Sequence, residues 1–325
     1  MNVGTIGTGQ ITSWFLSCWK EAGNECHAVY SRSKERGEQL REAFEGTVVY
    51  TELDQFMADE RMDVVYIASP NSLHFSHAKK ALLARKHVIL EKPFTSTLEE
   101  CEELIQLAME RNLFLMEGIT VVDLPNVKML SSLLARIAPV HMAVANMSKV
   151  SSKYPAYQKG EHPNVFQTKY SGGALMDLNV YNLHLMTTLF GMPQYIDYHA
   201  NRKEGLDFSG CATLGYEDFM AVCIASKDSE AQSFVEIQGE HGYLHIPSAA
   251  ATVSKIELVT QNGKREFFQR QDHELTHIYY IREFMRMVEE KDHRECMCRW
   301  NHTKEVMSLL REARRCADII FEADT

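Results

Sequence analysis

Short apolar segments alternate with amphipathic segments along the first 120 residues of the chain. The apolar segments predict six buried strands, at residues 3–6, 26–30, 48–50, 64–68, 87–90 and 114–117. The segments between them carry apolar residues at helical spacing and predict helices at residues 11–22, 34–44, 53–59, 73–84 and 98–111. This alternation is typical of parallel strands joined by crossover helices. It predicts an α/β domain with a doubly wound parallel sheet.

The pattern changes after about residue 120, where strand-like segments follow one another with only short turns between them. They predict strands at residues 195–203, 211–216, 220–225, 234–238, 243–246, 256–260 and 266–269. Asn262–Gly263 predicts a type I′ hairpin turn, and Glu217–Asp218 predicts another turn. Helical spacing covers residues 174–190, 275–290 and 303–322. The sequence therefore predicts two domains, residues 1–120 and 121–325, the second an α+β domain with an antiparallel sheet.

The composition fits a two-domain globular protein. The chain has 325 residues, of which 45% are hydrophobic and 24% charged. Acidic residues outnumber basic ones by 44 to 34, a net charge of −10, which argues against nucleic-acid partners. The N-terminus lacks the basic and apolar regions of a signal peptide, and no apolar run approaches the ~18 residues of a membrane span. We therefore expect a cytoplasmic protein without membrane partners.

The eight cysteines are too sparse for a disulfide scaffold, so we expect reduced thiols. Cys296 and Cys298 form a C-x-C pair, but only His302 lies near them as a further ligand. Metal sites usually combine such a pair with a second ligand cluster. No metal site is predicted.

A glycine-containing turn follows the first predicted strand. Its residues are Gly7, Thr8, Gly9, Gln10 and Ile11. They match the start of the dinucleotide motif G-x-G-x-x-G, with Thr12 in place of the last small residue. Gly7 would permit the tight turn, Gly9 would let a pyrophosphate approach the backbone, and the next helix would offer free N–H groups. Two glycines between a strand and a helix often form only a turn, but their place in the opening βαβ unit favours a dinucleotide cofactor.

The end of the second strand bears on the choice of cofactor. NAD-specific proteins present a carboxylate there to the ribose 2′-hydroxyl, whereas this chain has Tyr30, Ser31, Arg32 and Ser33. Arg32 and Ser31 could hold a 2′-phosphate through a charged fork and a hydroxyl. NADP(H) is therefore favoured, and NAD(H) remains an alternative. In the opposing interpretation the two serines only cap the next helix and Arg32 points into water.

Two further motifs follow strands four and five. Ser69, Pro70 and Asn71, with His74 behind them, come after the fourth strand, and Glu91-Lys92-Pro93 comes after the fifth. The carboxyl ends of parallel strands share one edge of the sheet, where open α/β sheets bind ligands. Both motifs are predicted to contact the cofactor, and Lys92 places a cation near the expected nicotinamide.

A third constellation follows Gly172-Gly173 in the second half of the chain. Asp177, Tyr181 and His184 are spaced i, i+4 and i+7, which places them on one stripe of an α-helix. A polar stripe of this kind can also face solvent or form satisfied buried hydrogen bonds. The preceding glycines suggest close approach of a ligand or another segment, and His184 is a candidate substrate contact.

These motifs, in this order, resemble the Gfo/Idh/MocA oxidoreductases, the family of glucose-fructose oxidoreductase and inositol dehydrogenase. The signals are the Gly7/Gly9 turn, Ser69-Pro70-Asn71 with His74, Glu91-Lys92-Pro93, and Gly172-Gly173 before Asp177 and Tyr181. The resemblance covers nearly the whole chain. The resemblance implies an N-terminal NAD(P)-binding Rossmann domain, a C-terminal domain with a large, mainly antiparallel open sheet, and homodimers or homotetramers formed through that sheet.

The resemblance also implies residue roles. Lys92 matches the family's catalytic lysine, Asp177 its substrate-binding or catalytic aspartate, and Tyr181 a position that is His in many members and Tyr in others. Tyr181 places the sequence nearer the glucose-fructose oxidoreductase, dihydrodiol dehydrogenase and anhydrofructose reductase side of the family than the inositol dehydrogenase side.

We therefore expect reversible hydride transfer between NADP(H) and a carbinol or carbonyl carbon of a sugar, polyol or related diol. Tyr181 is the candidate proton carrier. Because a phenol ordinarily has a pKa of ~10, it would need the Lys92 ammonium to stabilise its phenolate. Asp177 would orient Lys92 or accept a substrate hydroxyl, and Lys92 itself could carry the proton. The alternatives are a catalytically silent NAD(P)-binding regulatory protein of the same fold and a polypeptide-binding scaffold without nucleotide affinity.

Overall fold

The computed structural model covers residues 1–325 and divides the chain into two packed units. The first unit contains Met1–Ile119 and Leu275–Lys304, and the second contains Thr120–Glu274 and Glu305–Thr325. The predicted domains divide the chain at nearly the same point but assign residues 275–304 to the second domain. The difference arises because helices from this late segment pack on the first unit.

A parallel six-stranded sheet forms the centre of the first unit. Its strands are β1 (Asn2–Ile6), β2 (Glu25–Tyr30), β3 (Val48–Tyr50), β4 (Val64–Ile67), β5 (His87–Glu91) and β6 (Leu115–Gly118). They lie in the order β3-β2-β1-β4-β5-β6, which is the Rossmann order with its switch point between β1 and β4. Every strand lies within two residues of its predicted position, and the doubly wound sheet is confirmed.

Five helices connect these strands. They are α1 (Gln10–Glu21), α2 (Lys34–Ala43), α3 (Leu53–Met57), α4 (His74–Leu83) and α5 (Leu98–Arg111). Helix α5 begins with a capping box, in which the Thr97 hydroxyl accepts from the Glu100 backbone N–H and the Glu100 carboxylate accepts from the Thr97 backbone N–H. The helices bury both faces of the sheet, so that β4 is entirely buried.

The late segment adds one helix and part of another to the first unit. Helix α9 (His277–Glu290) packs on α1. Helix α10 (His293–Cys316) begins ten residues before its predicted start at 303, and its residues up to Lys304 belong to this unit. The Trp300 indole N–H donates to the Leu115 carbonyl of β6 over 2.8 Å.

An eight-stranded, mainly antiparallel sheet forms the centre of the second unit. Its strands are β7 (Val140–Ser148), β8 (Tyr195–Lys203), β9 (Leu206–Gly215), β10 (Met220–Ser226), β11 (Phe234–Gly239), β12 (Gly242–Ile246), β13 (Ile256–Thr260) and β14 (Arg265–Phe268). They lie in the order β14-β13-β12-β11-β7-β10-β9-β8, and only β7 and β10 pair in parallel. The large, mainly antiparallel sheet that the resemblance implies is confirmed.

The sequence pattern did not predict the central strand of this sheet, β7, or two helices, α6 (Pro125–Leu134) and α7 (Tyr154–Gln158). The inner face of β7 presents Ala143 and Ala145, which have weak strand propensity but leave room for a helix above them. Helix α8 (Val180–Phe190) packs there, against β7 and β10. Packing of the helix on these alanines, rather than local propensity, selects this strand.

The hairpin predicted at Asn262–Gly263 is present between β13 and β14, but its turn is not type I′. A type I′ turn needs positive φ at both central residues, and at Asn262–Gly263 only Gly263 has it, with φ +80°. The backbone that fits this requirement is at Glu204–Gly205, between β8 and β9, with φ of +53° and +77°. The Glu217–Asp218 turn between β9 and β10 is present, closed by a bond from Tyr216 N–H to the Phe219 carbonyl. No helix is both long and apolar enough to span a membrane.

Candidate active site

A cleft of about 290 Å³ opens in the first unit, with β1, β2 and β4 contributing residues at their carboxyl ends. Of the predicted cofactor contacts, its lining contains Gly7, Thr8, Ser31, Arg32, Ser69 and Pro70. Gly9, Gln10, Ile11, Asn71, His74, Glu91 and Lys92 do not line this cleft. Three loops that are distant in sequence therefore meet where the strand order predicts a ligand crevice.

The Gly7 turn is fixed by its backbone. Gly7 has φ +114°, and a Cβ atom there would lie 2.5 Å from the Ala68 carbonyl oxygen. Only glycine fits both constraints. Gly9 is the N-cap of α1, no side chain caps this helix, and its first turn has no acidic residue. The helix therefore presents the positive end of its dipole without a carboxylate to neutralise it.

Two arginines make the lining of the cleft basic. Arg32 and Arg36 line it together with the hydroxyls of Ser31 and Ser33, and no Asp or Glu does. Both arginines are exposed. The Ser33 hydroxyl accepts from the Arg36 backbone N–H over 3.4 Å, and the Ser31 hydroxyl accepts from the Ser33 N–H over 3.2 Å. Part of the capping interpretation is thus correct, yet both serines also line the cleft, and the donor set fits a phosphate ester.

Sequence reasoning missed Arg36 and His77 in this lining. His77 lies three residues after His74 in helix α4, so helical spacing could have indicated it. Arg36 lies in the first turn of α2, close in sequence to Arg32, and this proximity could have indicated it. His77 Nδ1 lies 3.0 Å from the Ser69 hydroxyl, and burial lowers the pKa of His77 to about 4. His77 is therefore a neutral group beside the two arginines.

His74 connects the two motif loops. Its ring is buried, with Nδ1 2.9 Å from the Pro93 carbonyl and Nε2 2.9 Å from the Ser69 carbonyl. Burial lowers the pKa of this imidazole, while the two carbonyls oppose that shift. The structure thus gives His74 a role in holding the Ser69 and Lys92-Pro93 loops together.

Glu91 and Lys92 differ in exposure although they are adjacent. Glu91 is buried at the end of β5, where it accepts from the Tyr66 hydroxyl over 2.7 Å, and burial raises its pKa to about 7. Lys92 is half-buried directly after the strand. The buried carboxyl fixes the strand end that presents the lysine.

The polar stripe of the second unit departs from its prediction. Residues Leu175–Asn179 form a π-helical turn before α8, with the Val180 N–H bonded to the Leu175 carbonyl five residues back. The predicted continuous α-helix over residues 174–190 is therefore wrong at its start, and the i, i+4 geometry does not hold between Asp177 and Tyr181. Asp177 and Tyr181 are half-buried, whereas His184 is 0% exposed. π-turns of this kind are frequent at functional sites.

Two buried charged residues surround this turn, and sequence reasoning missed both. The Lys227 ammonium lies 2.6 Å from Asp177 Oδ2 and is 1% exposed, whereas Asp177 is 33% exposed. Asp207 Oδ2 accepts from the Leu175 backbone N–H over 2.6 Å and from the Tyr198 hydroxyl over 2.8 Å. Burial raises the pKa of Asp207 to about 6. Lys227 directly follows β10, the same kind of position that singled out Lys92.

Comparison with known proteins identifies the class. A family model described as an oxidoreductase family with an NAD-binding Rossmann fold matches residues 1–119, and one described as the GFO/IDH/MocA C-terminal domain matches residues 140–245. The chain therefore belongs to the Gfo/Idh/MocA oxidoreductases, as the motifs indicated.

Particular relatives extend over the whole chain. The scyllo-inositol 2-dehydrogenase (NADP(+)) IolU of Bacillus subtilis is 33% identical over 323 residues, which is 98% of each chain. The trans-1,2-dihydrobenzene-1,2-diol dehydrogenase of Danio rerio is 24% identical, covering 99% of this chain and 98% of its own. The 3-ketoreductase KijD10 of Actinomadura kijaniata, solved with NADP and TDP-benzene, has a TM-score of 0.84 at 24% identity and covers 97% of each chain. Inositol and dihydrodiol dehydrogenases thus both occur among the relatives.

Proposed function

We propose that the protein is an NADP(H)-preferring oxidoreductase that transfers a hydride between the nicotinamide and a carbinol or carbonyl carbon of a sugar, polyol or related diol. The cleft carries this proposal, because it combines a Gly7 turn with Arg32, Arg36 and two serine hydroxyls, and it contains no carboxylate. The names of the relatives, an NADP(+)-dependent inositol dehydrogenase and a dihydrodiol dehydrogenase, support the substrate class.

The first unit holds the cofactor in this proposal. Gly7, Thr8 and the N-terminus of α1 would hold the pyrophosphate through backbone N–H groups. Arg32 and Arg36, with Ser31 and Ser33, would hold the 2′-phosphate through charge-assisted bonds. His77, neutral beside them, adds a hydrogen-bonding group without a further charge. The bound nicotinamide would donate or accept the hydride.

In this proposal, side chains of the protein transfer the substrate-hydroxyl proton that accompanies the hydride. A hydroxyl that becomes a carbonyl must lose its proton to a positioned base, and the reverse reaction needs an acid. Tyr181 Oη and Lys92 Nζ are the two candidate proton carriers. Asp177 would accept a substrate hydroxyl.

The experiment that tests this proposal is a parallel fluorescence titration of NADPH and NADH at fixed salt, on the parent and on Arg32→Ala. We expect the parent to bind NADPH more tightly. We expect Arg32→Ala to lose about 10- to 100-fold in NADPH affinity, because one charge-assisted pair is removed, while NADH affinity stays within about twofold. Turnover is then followed with NADP⁺ and either scyllo-inositol or trans-1,2-dihydrobenzene-1,2-diol.

Three other outcomes would each contradict part of the proposal. Equal weakening of NADPH and NADH in Arg32→Ala would refute the 2′-phosphate assignment. Tight NADPH binding without turnover of any sugar, polyol or diol would favour the silent regulatory protein. Binding of neither nucleotide would favour the polypeptide scaffold.

We also propose that the second unit assembles homodimers or homotetramers through its sheet. The alternating register of β7 and β10 buries alanines on one face and places Met142, Val144, Val222 and Ile224 on the other. These four apolar side chains are only half-buried in the monomer. Apolar patches on central strands are typical of association surfaces. Light scattering after size exclusion should give the mass of two or four chains.

A further inference from the structure

A buried lysine accompanies the Asp177 carboxylate. Lys227 is 1% exposed, and its ammonium lies 2.6 Å from Asp177 Oδ2 and 3.4 Å from the Val165 carbonyl. The ammonium also lies over the Phe166 ring, at 5.3 Å from the ring centroid. An ammonium has three donors, and this environment leaves it little freedom to turn away from Asp177.

The backbone of Lys227 is held as firmly as its side chain. Its N–H donates to the Phe208 carbonyl over 2.8 Å, and its carbonyl accepts from the Ser151 N–H over 2.9 Å. Lys227 thus continues the pairing of β10 with β9 by one residue. The ammonium is therefore fixed by the sheet, while Asp177 lies on the π-helical turn above it.

The turn itself is fixed by a second buried charge. Asp207 Oδ2 accepts from the N–H of Leu175, the first residue of the turn, and from the Tyr198 hydroxyl. The Lys227 charge acts on Asp207 as well, where it favours the carboxylate. The charge of Lys227 therefore acts on two carboxylates: Asp207, which anchors the turn, and Asp177, which lies on the turn.

The exposure of the ion pair is asymmetric. Lys227 is inaccessible, whereas a third of the Asp177 side chain reaches solvent. Burial of the lysine costs desolvation, which the charge of Asp177 offsets while the Asp177 side chain itself keeps contact with solvent. The lysine thus holds one oxygen of Asp177 from the buried side, while the solvent-exposed part of the side chain is accessible to a ligand hydroxyl.

We infer that Lys227 is a positioning residue that holds Asp177 ionised and oriented toward the substrate hydroxyl, an assignment that rests on the proposed oxidoreductase function. Lys227 touches neither substrate nor cofactor in this assignment. It acts only through Asp177, and this is what the test must separate from a general structural role.

The test is a double-mutant cycle with Lys227→Met and Asp177→Asn, in which kcat and KM are measured with NADP⁺ and whichever of the two substrates the parent oxidises. Methionine keeps the unbranched stem and removes the charge. We expect Lys227→Met to lower kcat by about 10- to 100-fold, since loss of orientation alone can cost that much. In the Asp177→Asn background the same change should lower kcat by less than about threefold, because its target is already gone. The dissociation constant for NADPH should stay within about twofold of the parent value.

Lys203→Met is the matched control. Lys203 also pairs with an aspartate, Asp228, at 3.1 Å and also lies over an aromatic ring, that of Phe208, at 4.8 Å, but it is largely exposed. Its kcat should stay within about threefold of the parent. Lys227→Gln is made beside Lys227→Met, and thermal unfolding establishes that each variant is folded before its kinetics are compared.

The contrary outcomes are distinct. Parent-like kcat in a folded Lys227 variant, or losses that add in the double variant, would overturn the role of Lys227 and leave the proposed function standing. Failure of both Lys227 variants to fold would make the lysine a structural residue and would also overturn the assignment. A parent that binds NADPH but oxidises no substrate of the class would overturn the proposed function, and the role of Lys227 with it.

Discussion

The two units hold their candidate residues by different means. In the first unit the cleft is built at strand ends, from a glycine turn, an uncapped helix start and side chains that follow β2 and β4 directly. In the second unit Asp177 is held by side chains from other elements: by Lys227, 50 residues away, and, through Leu175 of the turn, by Asp207, which is 32 residues from Leu175. The first arrangement depends on the backbone, and the second on buried charges.

This difference explains what each unit can do. Backbone N–H groups and a helix dipole suit a phosphate ligand that is common to all dinucleotides. A buried lysine and aspartate cost desolvation and need specific partners, but they fix one carboxylate in one orientation. We therefore expect substitutions in the first unit to divide between cofactor binding and chemistry, and those in the second to change chemistry or stability without changing cofactor affinity.

The largest expected effect is that of Lys92→Met. Lys92 follows β5 but does not line the cleft. We therefore expect it to act in the proton transfer rather than in cofactor binding. We expect kcat to fall by about 10²- to 10⁴-fold, the usual cost of losing acid-base assistance. NADPH affinity should stay within about threefold. Single-turnover kinetics and a fluorescence titration measure the two quantities.

Lys86→Met, in the same unit, is the control for removing a lysine there. The Lys86 ammonium bonds the Asp59 and Met62 carbonyls, away from the cleft lining, so its loss should change stability and leave kcat within a few-fold. Turnover of Lys92→Met within a few-fold of the parent would show that Lys92 is not catalytic. Tyr181 would then be the remaining candidate proton carrier.

A smaller effect, of about 3 kcal/mol in the free energy of unfolding, is expected from Asp207, the buried carboxyl of the second unit. Burial raises the pKa of Asp207 to about 6, some two units above an ordinary aspartate. The folded chain therefore binds this proton more tightly than the unfolded chain. Its contribution to stability is complete below pH ~4 and is lost as the pH rises to about 6. Asp207→Asn removes this dependence, so its free energy of unfolding relative to the parent should rise by about 3 kcal/mol between pH ~3 and pH ~7.

Urea unfolding of both proteins at several pH values measures this difference. Glu91→Gln is the counterpart in the first unit, where burial raises the pKa of Glu91 to about 7. Its relative stability should rise in the same direction and continue rising to about pH 7. A flat difference for Asp207→Asn would mean that the carboxyl titrates as it does in the unfolded chain, and the buried-charge side of the comparison would fail.

The same contrast shows how far the sequence determines the structure. Every strand of the first sheet, the capping box at Thr97 and the cleft residues Gly7 and Arg32 were predictable, since each is marked by a motif or a periodicity within a few residues of sequence. The pairing of Lys227 with Asp177 was not, because it depends on which strand lies beneath the turn. Strand β7 was missed for a related reason, since its alanines signal a strand only once α8 packs on them. The π-turn at Leu175 adds a backbone register that helical periodicity does not encode.

The smallest expected effects come from the two glycines of the first turn, which test whether the backbone alone builds the cleft. At Gly7 a Cβ atom would meet the Ala68 carbonyl oxygen, and φ is +114°, whereas at Gly9 φ is −84° and nothing lies within 4 Å of a Cβ atom. Gly7→Ala should therefore lower the free energy of unfolding by about 1–3 kcal/mol and weaken the binding of both nucleotides.

Gly9→Ala should leave the free energy of unfolding within about 1 kcal/mol of the parent, because the backbone at this position accepts alanine. It should still weaken the binding of NADPH and NADH by at least about tenfold, because the added methyl group would occupy the space where the pyrophosphate approaches. Urea unfolding and nucleotide titration of the two variants separate folding from binding. If Gly9→Ala binds NADPH as the parent does, the pyrophosphate does not approach at Gly9, and the cleft would depend on its arginines more than on its backbone.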